Sequence, residues 1–313
     1  MKEAAHKILM FFMAVGFFSG LAILLYPLFS NKWNEYNSNL KIQEYQTQTI
    51  ESNGDESLVD EWEKAFAYNQ QLQPIIIPDS FIQAAGMNEE DSAYMSCLNT
   101  KGDGMMGYIS IPKIGENIPI YHTSSEEVLQ KGAGHVQGSS LPVGGESSHA
   151  AISAHRGLPG ASLFTDIDQL EEGDSFYLYI LDDILAYEVD EILVVEPQDT
   201  EALNVVEGKD YVTLITCTPY GVNSHRLLVR GHRVPYEEEQ VIIQQQQEVH
   251  SVHTNYSIWI VLGLVATFVF TIIMVLTIKV IQIRRRRKKR QKELEEQLKE
   301  QLERQKRLGN QFA

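Results

Sequence analysis

Two stretches without a charged residue, Ile8–Ser30 and Ser257–Ile278, bracket the middle of this 313-residue chain. Each reaches the ~20 residues that a helix needs to cross a bilayer. Whatever folds between them is therefore expected to fold as a tethered body. Tyr256 and Trp259 stand at the start of the second stretch, where interfacial aromatics collect. The first stretch exceeds the ~7–15-residue apolar core of a cleaved signal. Its end, Tyr26-Pro-Leu-Phe-Ser30, offers no small-x-small cleavage site, so we read an uncleaved anchor. Lys2 and Lys7 precede the first span and the block Arg284–Arg290 follows the second. By the positive-inside rule both ends are expected in the cytoplasm and the middle outside.

Charge follows the same division. Residues 31–257 carry 11 Lys and Arg against 36 Asp and Glu, whereas residues 279–313 carry 13 against 5. The basic tail beside a span is suited to anionic lipid headgroups, and the acidic outer part excludes nucleic acid as a partner. The two cysteines, Cys97 and Cys217, both lie in the outer part, where disulfides are permitted. A bridge between them would mask any nucleophilic role for Cys217, and Cys97 reads as an incidental unpaired thiol. The nine histidines show no His-x-x-x-His spacing, and the cysteines no Cys-x-x-Cys spacing, so neither metal nor other cofactor is expected.

The chain divides into a membrane anchor (1–30), a helical stalk and long loop (31–106), a β-rich domain (107–235), a polar linker (236–256), a second span (257–279) and a basic helical tail (280–313). Trp33, Tyr36 and Leu40, then Leu58, Trp62, Ala65 and Phe66, recur at helical spacing on either side of Ser52-Asn-Gly-Asp55, which predicts two amphipathic helices packed on the domain. Residues 74–106 have little regular pattern and read as a loop long enough to be a lid. From Gly107 onward, short β-branched runs alternate with Gly, Pro and Asp turns: 108–111, 118–121, 150–154, 175–180, 184–195, 211–217 and 227–234. That pattern predicts a closed all-β architecture, with short helices over 126–130 and 162–170.

The chemistry is concentrated in Tyr211–Val234. Strand alternation places Tyr211, Thr213, Ile215 and Cys217 on one side and Val212, Leu214 and Thr216 on the other. Pro219, Gly221 and Asn223 supply turn residues, after which a second strand returns and brings Arg226 near Cys217. A thiol attacks as thiolate, so a reactive cysteine needs a base or a positive charge beside it. Arg226 is a permanent cation that can also donate to an oxyanion. His155, at the end of Ala151-Ile-Ser-Ala-His, is the candidate base, with His122, His135, His149, His225 and His232 as alternatives. Thr216, next to the thiol, is a candidate for oxyanion support.

Thr213-Leu-Ile-Thr-Cys217, Arg226 nine positions later and Ala154-His155-Arg-Gly-Leu-Pro together resemble the sortase family, specifically the class C or pilin sortases. Gly107-Tyr-Ile-Ser-Ile-Pro-Lys-Ile, Pro119-Ile-Tyr-His, Gly132-Ala-Gly-His, Ser140-Leu-Pro-Val-Gly-Gly and Leu163-Phe-Thr-Asp resemble that pattern in the same order. The resemblance implies a sortase-type β-barrel, preceded by two helices and flanked by two transmembrane helices. It implies a cysteine transpeptidase that cuts an LPXTG-like motif and, in class C, joins the acyl group to a lysine of a pilin subunit. His155, Cys217 and Arg226 take the catalytic positions, and the family pattern favours His155 over the other histidines. Class C enzymes have a lid with an Asp-Pro-aromatic motif; Asp79-Ser80-Phe81 is the nearest match here, with serine in place of proline. Asp79 and Phe81 are thus lid candidates, against the alternative of an ordinary surface loop. Two other functions stay open at this point: a sortase that attaches surface proteins to peptidoglycan, and a non-catalytic membrane sensor with the basic tail as its output.

Overall fold

The structure, a computed structural model, describes residues 2–51, 56–72, 92–158, 160–237 and 254–309. It divides into two units, Met1–His250 and Ser251–Ala313. The first unit is a closed eight-stranded barrel carrying helices. The second is one long helix.

The strands are β1 (Met105–Ile111), β2 (Glu116–Tyr121), β3 (Ala133–His135), β4 (Ser148–Ser153), β5 (Ser175–Ile180), β6 (Asp183–Val195), β7 (Asp210–Thr218) and β8 (His225–Val234). They close in the order β1-β2-β3-β4-β7-β8-β6-β5, with β5 pairing back onto β1. The β2/β3 and β4/β7 contacts are parallel and the rest antiparallel. Alternate residues fill the interior: Ile109 and Ile111 from β1, Ala150 and Ile152 from β4, Phe176 and Leu178 from β5, Val212 and Leu214 from β7, Leu227 and Val229 from β8. Each large apolar side chain buried in this way contributes about 1.5–3 kcal/mol. The 13-residue β6 shifts register between Val189 and Glu191, a bulge that lets one strand bend around the barrel.

Three features depart from the sequence expectation. β3 has three residues, too few to show a period. Residues 162–170 form turns with a single 3-10 turn at Ile167–Gln169, because Leu163 takes φ +43 and Phe164 donates its N–H to His155 O. Residues 92–106 are not loop: α3 (Ser92–Ser96) buries Tyr94, and Cys97 and Leu98 enter the core. Neither cysteine is in a disulfide, as expected, and Cys97 Sγ donates to Ala93 O at 3.2 Å. Residues 73–91, with Asp79 and Phe81, lie outside the described residues, as do 238–253 of the linker.

Two helices precede the barrel. α1 (Lys2–Glu51) runs unbroken from the first apolar stretch into the stalk, and α2 is Glu56–Gln71. α1 packs Ile42 and Tyr45 against Met105, Tyr108, Tyr121 and Val128. Higher up the same helix, Asn34 donates to Gly160 O. Gly160 has φ +106, and a Cβ there would collide with Ser30, so glycine is needed for α1 to approach this closely. α2 buries Ala65 and Leu58 and fixes its end through Asn69, which donates to Leu141 O (3.1 Å) and accepts from Leu141 N (2.7 Å).

The Tyr45 hydroxyl donates to Met106 O (3.0 Å) and accepts from Leu181 N (2.7 Å), both within the buried seam. Tyr45→Phe is expected to destabilise the protein by about 1–3 kcal/mol, since it strands two buried backbone groups. Chemical denaturation checks this; an unchanged midpoint would mean that the hydroxyl does not hold α1 to the barrel.

In the second unit α4's successor, α5 (Thr254–Gly309), is a single helix; α4 itself is the short Glu126–Leu129 turn capped by Ser125, whose side chain accepts from Val128 N. The described residues contain one helix long and apolar enough to cross a membrane, within Thr267–Gln301. In α1 the qualifying apolar run is shorter, Ala14–Ile23.

Candidate active site

Strands β4, β7 and β8 lie side by side, and their outward faces converge at one end. In the antiparallel β7/β8 ladder Cys217 is directly opposite Arg226, a placement that puts Cβ atoms ~4.5–5.5 Å apart on one face. Parity confirms that this face is the outer one. Val212, Leu214, Leu227 and Val229 point into the barrel, while Ile215 and Leu228, two residues from Cys217 and Arg226, pack in an outer cluster with Ala151 and Val136. In the parallel β4/β7 ladder, Ala151 pairs with Thr213 and Ser153 with Ile215. Carried two residues further, that register sets His155 level with Cys217.

The turn between β7 and β8 is built from Pro219, after a cis Thr218–Pro219 bond, Gly221 at φ +74 and Asn223 at φ +60. It exposes Tyr220 and Val222 and returns the chain so that Arg226 Nη1 donates to Asn223 O (3.2 Å) and His225 O (3.0 Å). Cys217 and Arg226 are each 8 % exposed. A largely desolvated thiol facing a fixed guanidinium is a suitable setting for a nucleophile and an oxyanion donor.

The alternative histidines are occupied elsewhere. His135 is fully buried; its Nε2 donates to Ser140 O (2.8 Å) and its Nδ1 accepts from the Tyr94 hydroxyl (2.9 Å). Burial pushes its pKa down to about 4. His122, against the carbonyls of Gly104 and Cys97, and His149, between Asn204 O and Thr213 Oγ1, are also lowered by burial. These three are held inside the fold by structural contacts. His225 is exposed beside Ser224, and His232 lies 3.9 Å from Asp190. His155 is partly exposed, with Glu126 Oε1 at 3.6 Å from Nε2. Sequence reasoning missed Glu126, because the α4 turn that carries it is adjacent to His155 only in space.

Thr216 points away from Cys217, as alternation requires, and its buried hydroxyl donates to Ala154 O at 2.8 Å. This bond ties β7 to the residue before His155. Among the described residues no group of three or more His, Cys, Asp or Glu side chains could hold a metal ion.

The family model of the Sortase domain matches residues 109–234, which include all three converging residues. Sortase A of Bacillus anthracis is 33% identical over 156 residues, covering 49% of this chain and 71% of that protein. The chain belongs to the sortase family. Sortase D of Bacillus subtilis is 30% identical over 131 residues, 41% of this chain and 63% of the relative. Among solved structures, sortase C of Streptococcus pneumoniae is 47% identical with a TM-score of 0.57, covering 62% of this sortase and 96% of that chain. Sortase C-1 of Actinomyces oris gives 44% and 0.56, over 58% and 99%. This sortase is thus a cysteine transpeptidase whose structural neighbours are class C enzymes.

Proposed function

We propose that this sortase polymerises pilins: it cuts an LPXTG-like motif and joins the acyl group to a lysine side chain of the next subunit. The observation that carries the reading is the Cys217/Arg226 cross-strand pair, with His155 two residues beyond the last β4/β7 pair, Ser153/Ile215. The pilin assignment is supported by similarity to class C structures, among them one described as a pilus-related sortase C of Group B Streptococcus, 41% identical, TM-score 0.55, covering 62% of this chain and 97% of that one.

In the first half-reaction Cys217 Sγ attacks the threonine carbonyl and Arg226 donates to the tetrahedral oxyanion. The Thr–Gly bond breaks, His155 gives its proton to the departing amine, and a thioester remains. In the second, the lysine amine attacks the thioester and passes a proton to His155. The Cys217 thiolate leaves and an isopeptide bond is formed. Ile8–Ser30 and Ser257–Ile278 anchor the chain, with the barrel outside and both termini in the cytoplasm; the basic tail contacts anionic lipid. The apolar window in α5 supports the second anchor. Asp79 and Phe81 are carried as residues of a lid.

The test offers the full-length protein, in detergent, an LPXTG-type peptide with two competing amines: a lysine-containing peptide and a peptidoglycan-type cross-bridge amine. Mass spectrometry is expected to find the acyl group on the lysine side chain. Product on the wall-type amine alone would replace pilin polymerisation with wall anchoring.

A further inference from the structure

The β4/β7 backbone ladder ends before it reaches the reacting residues. Its last pair is Ser153/Ile215, followed by one bond from Ala154 N to Ile215 O (3.1 Å). Beyond that point side chains continue the register. The residue before Cys217 and the residue before His155 are joined by Thr216 Oγ1 donating to Ala154 O, a separation of 62 positions. The residues after them are joined by Arg156 Nη1 donating to Thr218 Oγ1 (3.1 Å), again 62 positions apart. Cys217 and His155 are therefore each held between two cross-links.

We propose that Arg156 is a positioning residue that sets His155 against Cys217 by gripping Thr218. Its guanidinium serves three partners at once. Besides Thr218, Nε donates to Thr165 O (3.1 Å) and Nη2 pairs with the Asp168 carboxylate. The side chain is only 10% exposed. The segment that carries His155 is closed on itself by Phe164 N to His155 O (3.2 Å) and Gly157 N to Thr165 Oγ1 (3.1 Å). Arg156 ties that closed segment forward to the strand end that holds the thiol, through the bond to Thr218. Gly157, at φ +75, lets the Tyr220 ring lie against the same segment; a Cβ there would meet the ring at 2.6 Å. Asp168 balances the charge of Arg156, so the bracket contributes position, and the cation that faces the thiol across β7/β8 is Arg226. A lysine cannot reproduce this, since it offers one point charge where three directions are needed.

The inference rests on Cys217 and His155 being the reacting pair. It is tested with Arg156→Lys, Thr218→Val and the double variant, each as full-length protein in detergent. Acyl transfer from an LPXTG-type peptide gives kcat and KM. Alkylation of Cys217 by a small reagent, followed against pH and located by peptide mass, needs no sorting peptide. Each single variant is expected to lower kcat about ten-fold with KM within about two-fold, the pattern of a misplaced reacting group. Each should also shift the pH profile of Cys217 alkylation. The double variant should lose no more than Arg156→Lys alone, because both act through one bond. Losses that multiply, or a lowered Tm with kcat and the alkylation profile unchanged, would overturn the proposal. If Arg156→Lys fails to fold, Thr218→Val decides, since it exchanges a hydroxyl for a methyl of the same shape. A shifted alkylation profile without turnover of the peptide in the unsubstituted protein would sink the substrate reading and leave the bracket standing.

Discussion

Replacing Cys217 with alanine is expected to reduce transfer by at least about 10³-fold, because nucleophilic catalysis has no substitute once the sulfur is gone. The other thiol cannot take over. Cys97 is 2% exposed in the core beside Tyr94 and Leu98, and its Sγ is committed to Ala93 O. The fold should tolerate the change, with stability altered by less than about 1 kcal/mol, since only one sulfur at the rim of the barrel is removed. Intact mass after incubation with an LPXTG-type peptide is the direct measurement. The unsubstituted protein should gain the acyl portion as a thioester and Cys217→Ala should gain nothing. A Cys217→Ala protein that still joined peptide to amine would eliminate the covalent route.

Arg226→Lys should lower kcat/KM about 10²-fold, the loss typical of removing an oxyanion donor. The guanidinium is aimed by Asn223 O and His225 O, which both accept from Nη1. Across the β7/β8 ladder Arg226 stands opposite Cys217. Lysine keeps the charge and loses this division of labour. Steady-state kinetics separate the alternatives. A fall in kcat with KM little changed indicates stabilisation of the transition state, and a rise in KM alone indicates ground-state binding of the motif. Activity within about three-fold of the unsubstituted enzyme would show that a positive charge suffices and that the aimed fork is irrelevant.

The strand pattern of the barrel was readable because alternation is strong where both faces are defined. β5 and β7 show this well: one parity fills the interior, the other meets Ala151, Leu228 or the helices. The Cys217/Arg226 pairing was readable too, since the turn residues fix where the return strand starts. What escaped the sequence was short or depended on contacts between distant segments. Tyr94, Cys97 and Leu98 have helical spacing, but a single turn gives too little of a period to distinguish from loop. Leu163, Phe164, Ile167 and Leu170 have the spacing of an amphipathic helix, yet the hydrogen bond from Phe164 N to His155 O forces a turn there. Arg156 and Thr218 look in sequence like ordinary neighbours of His155 and Cys217. Only the parallel register of β4 against β7 reveals that each faces the other.

The unbroken course of α1 has a mechanical meaning. Helices rise 1.5 Å per residue, so Ser30 and Asn34 are separated by about 6 Å along the axis. Asn34 holds Gly160, in the same loop as His155, and Tyr45 locks the helix further along. With Ile8–Ser30 embedded as proposed, the enzyme stands on a mast and not on a leash. Its reacting end is kept at one height just above the lipid and cannot swing to meet a subunit. Partners must come to that height, which suits chains that are themselves still rooted in the same bilayer.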